Sequence, residues 1–301
     1  MLRDAVGVVG LGRMGGNIAR RLKDRGFRVA AVYDASPKVT QELAAELSTA
    51  AADSPAKVAA LSQTVLTAVS DERAMEEIYA ASETSLLAGG PGRLFVNTAT
   101  VSPETHVEME RRALAAGSES LEACLLGTVP HARSGGLYVL AAGREGALRR
   151  AQPLLSAIGS EVRYVGGAGE AGKVKAIVNL VMNVNVAGLA EGLGLGAALG
   201  IDGELLLDAL RHSAASSRVL ETHAQAMLRG VYGRFLTAEH AAKDARIADD
   251  LAQGAGLPLP LAAAVRAQFE RMLSQGLGQE DHAGVAQLTF PGRLGEGARE
   301  S

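Results

Sequence analysis

Three glycines, Gly10, Gly12 and Gly15, stand in the spacing G-x-G-x-x-G directly after a short apolar run and directly before a helical pattern. In that context each glycine has a task. The first permits a sharp turn, the second lets backbone approach a pyrophosphate, and the third lets helix and strand pack closely. Phosphate is then held by backbone N–H groups at a helix N-terminus, so the intervening Leu11, Arg13 and Met14 are binding residues with the glycines. Asp34 closes a second apolar run roughly twenty residues on, where a carboxylate accepts hydrogen bonds from the diol of an adenosine ribose. Its charge repels a 2′-phosphate, and neither Ala35 nor Ser36 offers a compensating cation, so NAD is expected ahead of NADP; Lys38 weighs the other way. The competing reading is an empty glycine turn with Asp34 capping the next helix.

The elements that must position these residues follow from periodicity. Ala5 to Val9 reads as a strand, Asn17 to Arg25 as a helix stopped by Gly26, Arg28 to Tyr33 as a strand and Pro37 to Glu46 as a helix. Strands at Val65 to Ala68 and Leu94 to Asn97 flank a helix over Ala74 to Tyr79. A helix from Pro103 to about Ala116, strands near Ser120 to Cys124 and Leu137 to Ala141, a helix ending at Gly159 and a strand near Val162 to Val165 complete the set. This alternation predicts an α/β Rossmann domain over residues 1–165, a doubly wound parallel sheet with helices on both faces. Val69 and Ser70 then lie at the carboxyl edge of the third strand, where a cofactor runs. From Gly172 the texture changes to a proline-free apolar stretch, read as one long helix over 172–199, buried on nearly every face and joining two domains. Gly188, Gly192, Gly194 and Gly196 would let neighbouring helices come close. Residues 166–290 are then an all-helical domain, with breaks at Gly230 to Gly233 and Gly254 to Pro260, and the charged, glycine-rich tail 291–301 is expected to be disordered.

Composition excludes several classes. A net charge of −3 with scattered Lys and Arg gives no footprint for nucleic acid. One cysteine, Cys124, forbids an internal disulfide and suits a reducing cytoplasm, and no Cys/His cluster suggests a metal. Cys124 reads as a small core residue. The apolar start is too short and too charged, with Arg3 and Asp4, for a signal peptide or membrane span. With 3% aromatics, the core must be built from Ala, Leu and Val.

The segments GLGRMGGNIARRL, VYDASP, NTATVSPET, GEAGKVKAIVN and HAAKDARIADD, in this order, resemble the β-hydroxyacid dehydrogenases, related to 6-phosphogluconate dehydrogenase, over almost the whole chain. The resemblance implies NAD(P)-dependent oxidation of the CH–OH group of a 3-hydroxy acid, or reduction of the matching semialdehyde. It implies a catalytic lysine followed one turn later by a substrate-binding asparagine. Lys173 and Lys175 compete for the first role, but only Lys175 has an asparagine, Asn179, four residues on and hence on the same helical face. Lys175 would exchange the proton of the substrate oxygen, as a partly desolvated lysine can, with its pKa lowered for the base role. Asn179 would orient the substrate. Lys243 is implied to contact substrate or nicotinamide, and Thr100 to lie near the nicotinamide ribose, although Asn97 and Ala99 replace the family's acidic and serine positions. The resemblance further implies a homodimer or homotetramer acting on a small molecule.

One segment departs from the family. Its substrate loop, D-A-P-V-S-G-G, is here EACLLGT: Glu122, Ala123 and Gly127 align, but Leu126 takes the serine position and Thr128 that of the second glycine. Leu126 removes a hydroxyl donor and adds apolar bulk, so the loop Leu126, Gly127, Thr128 fits a larger or less polar substrate, or else Leu126 only fills space. Thr128, His131 and Arg133 either take over the anion or are ordinary loop polarity. Two other functions stay open: an imine reductase, a group that generally lacks the lysine, and a non-catalytic nucleotide-binding protein.

Overall fold

The computed structural model describes residues 5–233 and 235–290; the expected disorder of the 291–301 tail falls outside them. The chain divides into one compact unit up to Lys175 and a second from Ala176. The first contains an eight-stranded sheet: β1 (Val6–Val9), β2 (Val29–Tyr33), β3 (Ala50–Ala51), β4 (Thr64–Thr67), β5 (Leu94–Asn97), β6 (Glu119–Leu126), β7 (Leu137–Gly143) and β8 (Gly159–Gly166). The spatial order is β3-β2-β1-β4-β5-β6-β7-β8. Its helices are α1 (Arg13–Asp24), α2 (Pro37–Leu47), α3 (Pro55–Leu61), α4 (Glu72–Ile78), α5 (Pro103–Ala115), α6 (Val129–Ser134) and α7 (Glu145–Ile158). Alternate side chains on the buried strands feed two cores. Val8, Val32, Val96 and Ala123 pack with α1, α2 and α7, while Val9, Ala31, Val65 and Phe95 pack with α3, α4 and α5. The chain order reverses between β1 and β4, which places a switch point beside the glycine turn.

Not every strand is parallel. β1 through β6 are, but β7 runs antiparallel to β6 and parallel to β8. The link between β6 and β7 holds only the six-residue α6, and a parallel crossover needs a dozen residues or more, so the chain must turn back. α1 also starts four residues before the helical spacing first shows, because the glycine turn supplies its first residues. β3, α3 and α6 lie in segments read as connections. α3 does carry a local signal, Ser54 accepting the Lys57 N–H as N-cap ahead of Pro55.

α8 (Glu170–Ala198) crosses from the first unit into the second, which adds α9 (Gly203–Arg211), α10 (Arg218–Arg229), α11 (Ala238–Gly254), α12 (Pro260–Ser274) and a terminal 3-10 helix, His282–Leu288. The helices are therefore also interrupted between α9 and α10 and after α12, at Gly276. Val186, Ala190 and Leu193 of α8 pack with Val219, Met227, Phe269 and Val285 into this unit's core. The expectation of a helix buried all round is wrong, since Ile177, Val181 and Leu195 are 60%, 53% and 62% exposed. An apolar sequence sets which faces can be buried, while the number of packed neighbours sets which are. By length and hydropathy alone α8 would also pass for a membrane span, yet it carries Lys173, Lys175 and Glu191 and lends one face to a core. Its glycines divide likewise: a Cβ on Gly194 would come 2.9 Å from the Thr289 carbonyl oxygen and one on Gly196 2.4 Å from Leu206, but Gly188 and Gly192 face open space.

Candidate active site

The glycine turn is built as its spacing requires. Gly10 has φ +86°, and a Cβ there would sit 2.6 Å from the Ala68 carbonyl oxygen at the end of β4. A Cβ on Gly15 would lie 1.9 Å from the Gly10 oxygen, backbone against backbone. At Gly12, by contrast, it would meet no protein atom within 4 Å. That open space faces the start of α1, which has no side-chain cap and no acidic residue in its first turn. The positive end of the helix is thus left for an anion, and a dinucleotide pyrophosphate fits the cradle. Asp34 borders it: Oδ2 accepts the Leu11 N–H at 2.7 Å and Oδ1 the Ser36 N–H at 2.9 Å. The carboxylate ties the turn to the end of β2, and each oxygen keeps lone-pair capacity for a ribose hydroxyl. Lys38 points its charge at Glu42, 4.0 Å away.

Val69 and Ser70 follow β4 next to the turn, where the hypothetical Gly10 Cβ would be 3.1 Å from the Val69 nitrogen. Thr100 is half-buried just past β5. Beneath it Asn97, in place of the family's acid, is buried and fully engaged: its Oδ1 accepts from Thr67 (2.8 Å) and Tyr79 (3.0 Å), and its Nδ2 donates to Ser120 (2.9 Å). Burial raises the Tyr79 hydroxyl pKa, so it stays a donor in this knot.

Lys175 lies in the second turn of α8, half-buried, and Nζ donates to the Leu125 carbonyl oxygen of β6 at 2.9 Å. The same strand fixes the helix a second time. The Glu122 carboxylate accepts the Gly169 N–H at 2.9 Å and is further bonded by the N–H groups of Ala171 and Gly172 at the N-terminus of α8. Burial pushes the Glu122 carboxyl up to about 7 against these donors, and His106, 3.5 Å away and equally buried, is pushed down to about 4. The sequence aligns Glu122 with the family loop but carries no signal for this task, which depends on how β6 meets the N-terminus of α8. Cys124 is buried beside it, a core residue as expected.

In the second unit Asn179 is buried and its Nδ2 donates to Asp244 Oδ2 at 2.8 Å, while Lys243 Nζ lies 3.4 Å from Asp244 Oδ1. Asp244 is the residue that links Asn179 of α8 with Lys243 of α11. Arg246 is exposed.

The departing loop resolves in the bland direction. Leu126 faces the same side of β6 as Glu122 and Cys124 and packs against Leu140, Ala142 and Ala171 with Tyr138 and Val165. Gly127 has φ +137°, so glycine is required. Thr128 caps α6 in a mutual capping box with His131, and Arg133 pairs with Asp24. In this structure these polar side chains are engaged in a helix cap and a surface ion pair.

Comparison with known proteins settles the family. Residues 5–166 match the model of the NAD binding domain of 6-phosphogluconate dehydrogenase, and residues 167–289 that of the NAD-binding region of NADP-dependent 3-hydroxyisobutyrate dehydrogenase. The chain belongs to the β-hydroxyacid dehydrogenase family. It is 34% identical to an L-threonate dehydrogenase of Cupriavidus necator over 95% of this chain and 96% of that one. It is 29% identical to the mitochondrial 3-hydroxyisobutyrate dehydrogenase of Mus musculus over 94% and 86%. A solved 3-hydroxyisobutyrate dehydrogenase from Salmonella typhimurium superposes with a TM-score of 0.83 at 27% identity, covering 95% of this chain and 99% of that one. This dehydrogenase is therefore an NAD(P)-dependent oxidoreductase acting on the CH–OH group of a hydroxy acid.

Proposed function

We propose that the enzyme interconverts a 3-hydroxy acid and its oxo acid or semialdehyde with NAD(H), using Lys175 as the group that moves the proton. The observation carrying this reading is the Lys175 Nζ donating to the Leu125 carbonyl oxygen on a strand that ends in the substrate loop. Oxidation removes two electrons and two protons' worth of hydrogen: a hydride leaves the carbinol carbon and a proton leaves its oxygen. The bound nicotinamide supplies the hydride acceptor. Lys175 takes the oxygen's proton in this direction and returns it in reduction. Its bond to a carbonyl, which can only accept, fixes where the nitrogen stands. Asn179, one helical turn on, is oriented by Asp244 so that its amide oxygen can receive a substrate hydroxyl. Asp34 supports NAD over NADP by placing a carboxylate at the ribose position with Lys38 turned to Glu42. Leu126 in the serine position supports a hydroxy acid whose carboxylate is gripped by loop N–H groups and not by a side-chain hydroxyl.

The test is a panel of hydroxy acids, including L-threonate and 3-hydroxyisobutyrate, followed by nicotinamide absorbance. Turnover of one of them that disappears in Lys175→Ala while cofactor still binds supports the proposal; full activity in that variant overturns it.

A further inference from the structure

The helical unit brings together three residues scattered in the sequence: His223 of α10, and Asp281 and His282 at the start of the terminal 3-10 helix. Each offers one ligand-type atom within 4.8 Å of the other two. The imidazole rings stand edge to face with centroids 4.9 Å apart. His282 and Asp281 are 2% and 1% exposed.

The hydrogen bonds fix which nitrogen of each ring is available. The Thr222 hydroxyl gives its one proton to the Arg218 carbonyl oxygen at 2.9 Å, so at its 2.6 Å contact with His223 Nδ1 the imidazole must be the donor. His282 Nδ1 lies 3.2 Å from the Leu236 carbonyl oxygen and 3.3 Å from Asp281 Oδ1, both acceptors, so it too donates. In both neutral rings Nε2 therefore carries a lone pair. Both Nε2 atoms are buried and meet no hydrogen-bond partner among the described residues. Neither can satisfy the other, since two acceptors repel, and a buried acceptor left unmade costs about 1–3 kcal/mol. Protonating one would bury a charged imidazolium beside its neighbour.

We propose that His223 and His282 bind a divalent transition-metal ion through Nε2, with Asp281 as the charge behind them. A carboxylate accepting from the far nitrogen of a ligating histidine is the usual outer support of such a site, fixing tautomer and ring orientation. Asp281 is itself rigid: it accepts the N–H groups of Phe235 (2.6 Å) and Ala283 (3.0 Å). Neutral imidazoles select Zn²⁺, Ni²⁺ or Cu²⁺ over Mg²⁺ or Ca²⁺. The ion would cross-link α10 to the segment following α12. The other trio of potential ligands, His106, Glu122 and Cys124, does not qualify, because Glu122 is already spent on the N-terminus of α8, a positive end that opposes a cation.

The experiment uses the full chain stripped with EDTA and titrated with Zn²⁺ by calorimetry, with the melting temperature read in parallel. The wild type is expected to bind one equivalent and to melt higher when saturated, and His223→Gln and His282→Gln each to weaken binding at least tenfold. His131→Gln, at an exposed histidine, is expected to leave Zn²⁺ affinity and stoichiometry unchanged. Since His282 is deeply buried and its variant can misfold, the half-exposed His223→Gln, checked by circular dichroism, carries the test alone. No stoichiometric binding by the wild type, or binding unchanged in folded His223→Gln, overturns the proposal.

Discussion

At the scale of single residues, the account rests on a lysine and a carboxylate. Lys175→Ala removes the proton carrier without touching the glycine turn, so kcat is expected to fall by about 10²–10⁴-fold with the Kd for NADH unchanged; stopped-flow turnover and fluorescence titration check the two halves. Asp34→Ser removes the charge opposed to a 2′-phosphate, and kcat/KM is expected to shift toward NADP by at least about tenfold, a difference of roughly 1.4 kcal/mol. An unchanged ratio would show that Asp34 only secures the Leu11 N–H. That Lys175 and Asn179 share a helical face was legible because an i,i+4 pair needs only a helix, while their proposed roles rest on the family resemblance. Asp244 was not legible, because what it does depends on how α8 and α11 pack, which no local pattern encodes. For the substrate loop the sequence shows Thr128, His131 and Arg133 as polar, and the fold adds that they take part in a helix cap and an ion pair with Asp24.

At the scale of elements, strand β6 holds α8 at two points, Glu122 at its N-terminus and Leu125 at Lys175. The buried Glu122–His106 pair also sets a pH dependence. His106, with a folded pKa of about 4 against 6.5 unfolded, costs stability as the pH falls through that window. Glu122, raised to about 7 from 4.5, contributes stability that is present below 4.5 and lost as the pH rises through 7, so between 4.5 and 6.5 the two partly cancel. Glu122→Gln is therefore expected to lose melting temperature more steeply than the wild type from pH 6.5 to 4.5; a parallel profile would contradict this. In the glycine turn, Gly15→Ala drives a Cβ into the Gly10 oxygen and is expected to destabilise by about 1–3 kcal/mol. Gly12→Ala meets no protein atom and is expected to leave the denaturation midpoint unchanged while weakening NADH binding. The β–α alternation was readable from periodicity, but the reversal of β7 was not, since it is decided by the length of a connection that contains an unrecognised short helix.

At the scale of the whole molecule, the division into a sheet unit and a helical unit follows from where the hydrophobic period changes. What periodicity cannot supply is which apolar side chains stay uncovered: Leu195, Leu199 and Leu205 are 62%, 67% and 64% exposed. We propose that these side chains are buried between copies of the chain, and light scattering is expected to return a multiple of 30.9 kDa; a monomer would contradict it. The measurement that bears most directly on the central claim is the nicotinamide absorbance assay on the hydroxy-acid panel, run with wild type and Lys175→Ala and with NAD and NADP in parallel. The account predicts turnover of one hydroxy acid, faster with NAD, and its loss in the variant with NADH binding intact. Equal turnover by the variant would contradict it.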